Sequence, residues 1–263
     1  MTHEFLNSRR TQLLDILREN GHTDVSTLVK SLESSEATVR RDLAKLEAAG
    51  LLTRTFGGAV LKENQSLVAR TFEQKRERMR QAKEHIAARA AEMVEPGMTI
   101  ALDSGTTAWR IATALKNSGP LTILSSALAP VEELGPVAGM EVHSTGGRFR
   151  LENLDFVGPR AIAMCAGFHV DLAFLGADAF APGTGAFTTD EWSAAIADAL
   201  ARIAERVVLV VDSSKFGNTA RFRVLSVDRI ATVLTDSGIL REMQAAMAAD
   251  PYDLIVAAPA REL

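Results

Sequence analysis

Apolar residues recur at helical spacing in three segments near the start of the chain, and they predict helices over residues 9–19, 25–32 and 36–49. In the third segment, Val39, Leu43 and Leu46 form one apolar stripe. The residues 32–35 make a four-residue turn before it, the loop length of a helix-turn-helix. This spacing alone also allows any other small three-helix domain.

A predicted β-hairpin follows the third helix. Residues 51–56 and 59–61 favour strands and flank Gly57-Gly58. Ser35 is the expected N-cap of the third helix, and Gly50 is its expected end. A basic helix with a basic hairpin directly after it predicts a winged helix-turn-helix.

The next segments predict a linker and one long helix. Residues 62–70 are polar and unpatterned, whereas residues 71–94 carry charged residues on one side and end at Pro96-Gly97. The apolar positions of this predicted helix include Phe72, Met79, Ile86, Ala90 and Met93. We place the domain boundaries at 1–62 for the winged helix-turn-helix, 63–80 for the linker and start of the connecting helix, and 81–263 for a second domain.

Short β-favouring runs then alternate with helical segments. The predicted strands are 99–102, 121–125, 140–144, 171–176, 206–211, 230–235 and 254–257, and the predicted helices are 107–116, 127–134, 157–166, 189–204 and 237–248. Alternation of this kind indicates an α/β domain with a mostly parallel sheet covered on both faces. Ligands of such sheets lie beyond the carboxyl ends of the strands.

Composition and charge narrow the class of protein. The 263 residues are 47% hydrophobic, contain one cysteine and include no run of 18 apolar residues, so we expect a cytoplasmic protein without a membrane span. Residues 1–80 hold 14 Lys and Arg against 11 Asp and Glu, and residues 81–263 hold 15 against 22. A mildly basic start on an acidic body favours a reader of particular DNA sites over a protein that coats nucleic acid.

Four loops at the predicted carboxyl ends of strands could bind a small anion. The loop 103–107 opens a helix with hydroxyls and a glycine, which suits an anion at a helix N-terminus but equally suits plain capping. The loops 145–148, 175–178 and 212–217 add a guanidinium, a carboxylate and an ammonium. Together they predict a site for a phosphorylated sugar or polyol, although each loop alone could be structural. The candidate residues are Asp103, Ser104, Gly105, Thr106, Thr107, Ser125, Ser126, Gly146, Gly147, Arg148, Asp178 and Lys215.

Ordered motifs along nearly the whole chain resemble the DeoR family of bacterial transcriptional regulators. They are the series from Ser35 to Gly50 ending in Gly57-Gly58-Ala59, DSGTT at 103–107, GGR at 146–148, FLGAD at 174–178 and DSSKFG at 212–217. The resemblance implies a sensor domain similar in fold to ribose-5-phosphate isomerase and CoA-transferase-like proteins. It also implies repression of a sugar-catabolic operon, relieved by a phosphorylated intermediate.

Some positions depart from the family pattern. Ser34 stands where an apolar residue is usual, and Ser125-Ser126 stand where Thr-Asn is common. Ser193 and Ala197 occupy places that often carry a Glu and a Lys. These departures leave the identity of the effector open.

On the DNA side, the third helix is expected to enter the major groove of an operator. Ala37, Thr38 and Arg41 could reach base edges, and Ser35, Arg40, Lys45 and Arg54 would hold phosphates; Arg40 and Arg41 could exchange these roles. Paired half-sites about 34 Å apart require two heads, so we expect a homodimer or homotetramer.

The competing class is a sugar-phosphate isomerase-like enzyme with a DNA-binding domain. Such an enzyme needs a carboxylate base and cationic help for an enediolate. The loop 179–185 has no lysine, although Asp190, Glu191 and Asp198 remain as possible bases. The five histidines lack metal-ligand spacing. We therefore expect no catalytic residues, no metal and no cofactor.

Overall fold

The computed structural model describes residues 8–20, 23–49, 51–55, 58–61, 72 and 75–258. The chain divides into two compact units, Met1–Gln74 and Lys75–Leu263, which we call the head and the sensor unit. The predicted helix end at Gly50, the hairpin residue Gly57 and the linker 62–70 lie outside the described residues. The predicted domain boundaries at 62 and 80 stay predictions.

The head contains three helices and three short strands. The helices are α1 (Ser8–Asn20), α2 (Val25–Ser31) and α3 (Glu36–Ala48), and the strands are β1 (Thr23–Asp24), β2 (Leu52–Thr55) and β3 (Gly58–Leu61). The strands form an antiparallel sheet in the order β1-β3-β2. The hairpin β2–β3 confirms the predicted wing, whereas β1 was not predicted. The apolar stripes of the helices meet in one core that includes Leu13, Leu17, Leu28, Val39, Leu43, Leu46 and Leu52.

The turn between α2 and α3 is closed by a left-handed residue. Glu33 has φ 46°, and its N–H donates to the Lys30 carbonyl at 3.4 Å. The Ser34 N–H donates to the Val29 carbonyl at 3.2 Å. This pair of bonds is the Schellman arrangement, usually made with glycine at the left-handed position. The turn therefore ends α2 without a glycine, and four residues separate α2 from the start of α3.

The sensor unit is built on a seven-stranded parallel sheet. Its strands are β4 (Thr99–Leu102), β5 (Leu121–Ser125), β6 (Met140–Ser144), β9 (Val170–Leu175), β12 (Ala204–Val210), β14 (Thr232–Asp236) and β15 (Asp253–Ala257). They lie in the order β15-β14-β12-β9-β4-β5-β6. All seven were predicted, within two residues of these bounds. The predicted parallel α/β fold is confirmed.

Helices cover both faces of this sheet. They are α4 (Arg80–Ala91), α5 (Thr106–Ala114), α6 (Leu128–Leu134), α7 (Pro159–Cys165), α8 (Glu191–Arg202) and α9 (Arg241–Met247). One core contains residues of α4 and α5, such as Ile86 and Ile111. The other contains residues of α7 and α8, such as Ala161 and Leu200. Because both faces are covered, most of the strands are largely apolar runs, whereas the edge strand β6 contains Glu141, His143 and Ser144.

Two small antiparallel sheets were not predicted from the sequence. The strands β7 (Arg148–Arg150) and β8 (Asp155–Val157) form a hairpin after β6. The strands β10 (Ala179–Ala181), β11 (Gly185–Thr188) and β13 (Phe222–Ser226) form a second sheet. Gly185 has φ 129°, and a Cβ there would lie 2.0 Å from the Leu225 carbonyl oxygen, so the close approach of β11 to β13 requires glycine.

The predicted single helix over residues 71–94 is wrong at its centre. Residues 75–77 are helical, a turn follows at Arg78 and Met79, and α4 begins only at Arg80. Met79 has φ 54°, a left-handed conformation that ends a helix. Between residues 71 and 94, the described part of the chain therefore contains a helical turn, a kink and a second helix.

Candidate functional site

The start of α3 presents the predicted DNA-reading residues. Ser35 precedes the helix, and its Oγ accepts a hydrogen bond from the Thr38 N–H at 3.3 Å, which confirms the predicted N-cap. The Thr38 hydroxyl lies 2.8 Å from the Ser35 hydroxyl. Ala37 is exposed beside them. The first turn of α3 is therefore ordered by its own side chains.

The predicted DNA-contacting cations fall into two groups. Arg40 pairs with Glu36 at 2.7 Å, and Arg54 of the wing pairs with Glu47 at 2.6 Å. Arg41 and Lys45 are exposed and make no ion pair within the part of the chain that the structure describes. Neither side chain would have to give up a carboxylate partner in the described residues before contacting another molecule.

A buried carboxylate fixes α3 against α1. Asp42, 3% exposed, accepts hydrogen bonds from Arg9 at 2.7 Å and Arg10 at 3.0 Å. Burial favours the neutral acid, but the two guanidinium groups outweigh it and hold the pKa of Asp42 below its ordinary value. This residue was not predicted from the sequence. Its signal is a carboxylate one turn from the apolar positions Val39 and Leu46.

The predicted effector loops leave one edge of the sensor sheet. The strands β12, β9, β4, β5 and β6 are successive parallel neighbours, so their carboxyl ends lie side by side. The loops after them contain residues 103–107, 125–126, 145–148, 176–178 and 212–215. The structure thus brings the predicted loops together, and their side chains divide into buried supports and exposed groups.

Asp103 is a buried support. Its carboxylate accepts from the Gly176 N–H at 3.3 Å and from the Ser126 hydroxyl at 3.4 Å, and the residue is 6% exposed. Burial raises the pKa of Asp103 to about 7, although hydrogen bonds from the Ser104 and Gly176 N–H groups oppose the rise. The side chain joins three loops and has little surface left for a ligand.

Ser125 and Ser126 are also supports, since both are 0% exposed. The Ser125 hydroxyl donates to the Leu102 and Ala127 carbonyls at 3.2 Å each. The Ser126 hydroxyl donates to Asp103. The departure from Thr-Asn at this point therefore changes the packing behind the loops.

The first turn of α5 holds the exposed part of the DSGTT loop. Gly105 precedes the helix with φ 110°, and Ser104, Gly105 and Thr107 are half-buried. Thr106 is 8% exposed, and its hydroxyl donates to the Lys75 carbonyl at 3.4 Å. The helix of nine residues supplies N–H groups and a positive dipole end at this edge.

The GGR loop leads into the β7–β8 hairpin. Gly146 is half-buried, with its N–H donating to the Ser144 hydroxyl at 3.1 Å. Gly147 has φ 96°, and a Cβ there would lie 2.7 Å from the Val157 carbonyl oxygen. Arg148 is exposed, and its guanidinium lies over the Trp192 ring at 5.6 Å. The predicted guanidinium is thus accessible and already stacked on an aromatic face.

Asp178 and Lys215 form the polar pair of the site. Asp178 Oδ2 accepts from the Thr188 hydroxyl at 2.8 Å and the Thr189 N–H at 2.9 Å. Burial works to raise the pKa of Asp178, but these hydrogen bonds and the positive charge of Lys215 hold it below its ordinary value. In the described part of the chain, Asp178 Oδ1 accepts no hydrogen bond. This oxygen can accept from a ligand hydroxyl.

Lys83 of α4 is a cation at this edge that was not predicted from the sequence. It is 6% exposed, and its Nζ donates to the Lys75 and Arg78 carbonyls at 2.6 Å each. Burial lowers the pKa of Lys83 to about 8; the charge of Asp212 opposes this and that of Lys215 adds to it. The available signal was its place on the apolar stripe with Ile86 and Ala90.

A second missed group lies behind the GGR loop. Arg150 is 6% exposed, pairs with Asp155 at 2.7 Å and Asp190 at 2.6 Å, and donates to the Ser193 hydroxyl at 2.9 Å. Burial disfavours its charge, but both carboxylates raise the pKa of Arg150. Ser193, one of the departures from the family pattern, thus helps to tie the β7–β8 hairpin to the start of α8.

A winged helix-turn-helix head and an α/β unit with polar loops at one strand edge define a DNA-binding regulator with a sensor domain. Residues 9–65 match the DeoR-like helix-turn-helix domain, and residues 78–237 match the DeoR C terminal sensor domain. The chain therefore belongs to the DeoR family, and it is a DNA-binding transcriptional regulator.

Known proteins similar to this chain include both a transcriptional repressor and an operon activator. It is 32% identical to the transcriptional repressor AccR of Agrobacterium fabrum over 90% of this chain and 92% of that protein. It is 26% identical to the L-fucose operon activator of Haemophilus influenzae over 91% of this chain and 95% of that protein. A solved ribose 5-phosphate isomerase A from Methanocaldococcus jannaschii is 19% identical, with a TM-score of 0.39 over 51% of this chain and 53% of that chain.

Among the described residues, no helix is long and apolar enough to cross a membrane. The same residues contain no cluster of three or more His, Cys, Asp or Glu side chains that could hold a metal ion.

Proposed function

We propose that this regulator represses a carbohydrate-catabolism operon in the cytoplasm and releases its operator when a phosphorylated sugar or polyol binds the sensor unit. The 32% identity to a named repressor supports the sign of regulation. The similarity to a fucose operon regulator supports a carbohydrate operon.

The observation that carries this proposal is the convergence of positive groups at one strand edge. The N-terminal turn of α5 lies beside Lys83, since Thr106 and Lys83 donate to the same Lys75 carbonyl. Lys83 in turn interacts electrostatically with Lys215. Two ammonium groups and a helix N-terminus attract a phosphate, and Asp178 Oδ1 supplies an acceptor for sugar hydroxyls. We therefore assign phosphate to α5 and Lys215, and the sugar to the Asp178 side.

DNA recognition is assigned to α3 and the wing. Arg41 suits a guanine edge, Ala37 and Thr38 suit small contacts in the major groove, and Lys45 suits a phosphate. Ser35 and the ion-paired Arg40 and Arg54 complete the backbone contacts. We propose a homodimer or homotetramer, because two half-sites about 34 Å apart need two heads.

An isomerase-like activity is disfavoured by the state of two of the three candidate bases, Asp190 and Asp198. Asp190 is held by Arg150, and Asp198 by Arg202 and Arg229. Burial would raise the pKa of each carboxyl, but the hydrogen bonds lower both below the ordinary value. A carboxylate held in this way is a weak base. We propose that the chain is not an enzyme.

The test is a binding assay with full-length protein and labelled promoter fragments from its own operon region. We expect preference for one fragment over random duplex, and loss of that complex with one phosphorylated sugar but not with its unphosphorylated form. Turnover of the same compounds is measured in parallel, and no product is expected. Equal affinity for all fragments, or release by both forms of the sugar, would contradict the proposal.

A further inference from the structure

The sensor unit begins with a kinked segment, residues 75–79. Residues 75–77 are helical, and Met79, with φ 54°, separates them from α4. A left-handed conformation is unfavourable for a residue with a side chain, so surrounding contacts must hold it. From Lys75 the chain continues towards the head.

Lys83 supplies contacts that hold the kink. Its Nζ donates to the carbonyls of Lys75 and Arg78 at 2.6 Å each. In an uninterrupted helix, these two carbonyls would accept from the N–H groups of Met79 and Ala82, four residues further on. One ammonium therefore takes the place of two backbone donors of a straight helix.

The sequence also supports the straight arrangement. The apolar positions Phe72, Met79, Ile86 and Ala90 follow one helical stripe across the kink. Residues 75–83 contain neither glycine nor proline. The same residues thus suit two discrete backbone arrangements, which is what a conformational switch requires.

The kink is tied to the effector site by the residues that hold it. The Thr106 hydroxyl, in the first turn of α5, donates to the Lys75 carbonyl at 3.4 Å, and Arg110 Nη2 donates to the Arg76 carbonyl at 3.3 Å. Lys83 interacts electrostatically with Asp212 and Lys215. An anion at the start of α5 competes for the Thr106 hydroxyl and the Lys83 ammonium, because charged acceptors bind these donors more strongly than a carbonyl does.

We propose that residues 75–83 are the switch through which the effector acts, with Lys83 and Thr106 as its positioning residues. In the structure, both side chains hold the kink at Met79. A phosphate at the site withdraws both donors, and the Lys75 and Arg78 carbonyls then bond to the N–H groups of Met79 and Ala82. The helix α4 then extends back to Lys75, so that the sensor unit begins with a straight helix in place of the kink. The inference rests on the proposed function, since it uses the same anion site.

Hydrogen exchange of full-length protein in phosphate-free buffer tests this switch, with inorganic phosphate as the probe. We expect phosphate to slow exchange of the Met79 and Ala82 amides. Lys83→Met removes the ammonium and should slow the same amides about tenfold without phosphate. Met79→Gly removes the left-handed cost and should shift the balance about tenfold towards the kink, so that phosphate slows exchange less. Arg89→Met is the matched control, because Arg89 is a half-buried cation of α4 that pairs with Glu92 and lies ten residues beyond Met79.

The outcomes separate the switch from the anion site. Equal or faster exchange of the two amides in folded Lys83→Met would overturn the switch. If Lys83→Met does not fold, Thr106→Val gives the same comparison in ligand-free protein. A phosphate-induced rise in melting temperature with unchanged exchange would overturn the switch and leave the anion site standing. Lack of any melting shift counts against the site, and the variants without phosphate still decide the switch.

Discussion

The buried carboxyl of Asp103 makes stability depend on pH in a direction opposite to that of most acidic residues. Its pKa rises from an ordinary 3.8 to about 7 on folding because the group is buried. The folded state therefore keeps the proton of Asp103 to a higher pH than the unfolded state does. The contribution of Asp103 to the free energy of unfolding is fully present below pH 3.8 and is lost as pH rises through about 7.

The variant Asp103→Asn should separate this ionisation from the hydrogen bonds. Because the amide cannot ionise, the variant avoids the free-energy cost of ionising a buried carboxyl in the folded state. At about 1.4 kcal/mol per pKa unit, this cost is on the order of 4 kcal/mol at pH 8. At pH 5 the wild type already bears part of that cost, on the order of 1.5 kcal/mol. The stability of Asp103→Asn relative to wild type should thus rise by about 2.5 kcal/mol between pH 5 and pH 8. Lost hydrogen bonds only shift both values by a constant.

Urea unfolding followed by tryptophan fluorescence measures this difference. Both tryptophans, Trp109 and Trp192, belong to the sensor unit, so the signal reports that unit. Asp178→Asn is the matched control, because a carboxyl with a lowered pKa is ionised in both states over this pH range and its difference should not change. A difference for Asp103→Asn that is the same at pH 5 and pH 8 would refute the assigned protonation.

Three further changes test the head and the sensor unit. Arg41→Ala should weaken specific operator binding by about 1–3 kcal/mol in a fluorescence anisotropy titration, and unchanged affinity would remove the side chain from the interface. Asp42→Asn should lower the stability of the head by about 1–2 kcal/mol in circular-dichroism melts, because two guanidinium groups lose their carboxylate, whereas exposed Glu36→Gln should have almost no effect. Arg150→Met should cost the sensor unit about 3–5 kcal/mol in urea unfolding, because Asp155 is left buried without its cation; a loss below about 1 kcal/mol would show that the pair is not stabilising.

The parallel sheet was predictable because most of its strands are largely apolar runs between helices; the edge strand β6, which contains Glu141 and His143, is an exception. The small antiparallel sheets were not, since strands such as Arg148–Arg150 and Ala179–Ala181 are only three residues long. Such short strands carry too few positions for an alternating pattern. The kink at Met79 also escaped prediction, because left-handed helix ends are usually marked by glycine or asparagine.

The carboxyl-end edge of the sheet could be predicted as the candidate effector site, because ligands of open parallel sheets lie beyond the carboxyl ends of the strands. The roles of the individual residues at this edge could not be predicted. Sequence pattern gives the same weight to Asp103, Ser126 and Lys215, because all three are polar residues that follow strands. Burial separates them: the carboxylate and the hydroxyl support the loops, and the ammonium remains partly accessible. Lys83 was hidden by the charged residues around it, although its place on the apolar stripe marks it as unusual.

Effector-induced release of DNA by Lys215→Ala protein measures most directly whether an anion at this edge controls the head. The variant should bind the operator fragment as the wild type does, because Lys215 belongs to the sensor unit. The sugar phosphate that releases wild-type protein should be needed at about tenfold or higher concentration, because a charge-assisted contact is lost. Lys116→Ala, which removes a half-buried cation of the sensor unit that pairs with Glu133, is the control and should leave release unchanged. Release of Lys215→Ala at the wild-type effector concentration would contradict control through this site.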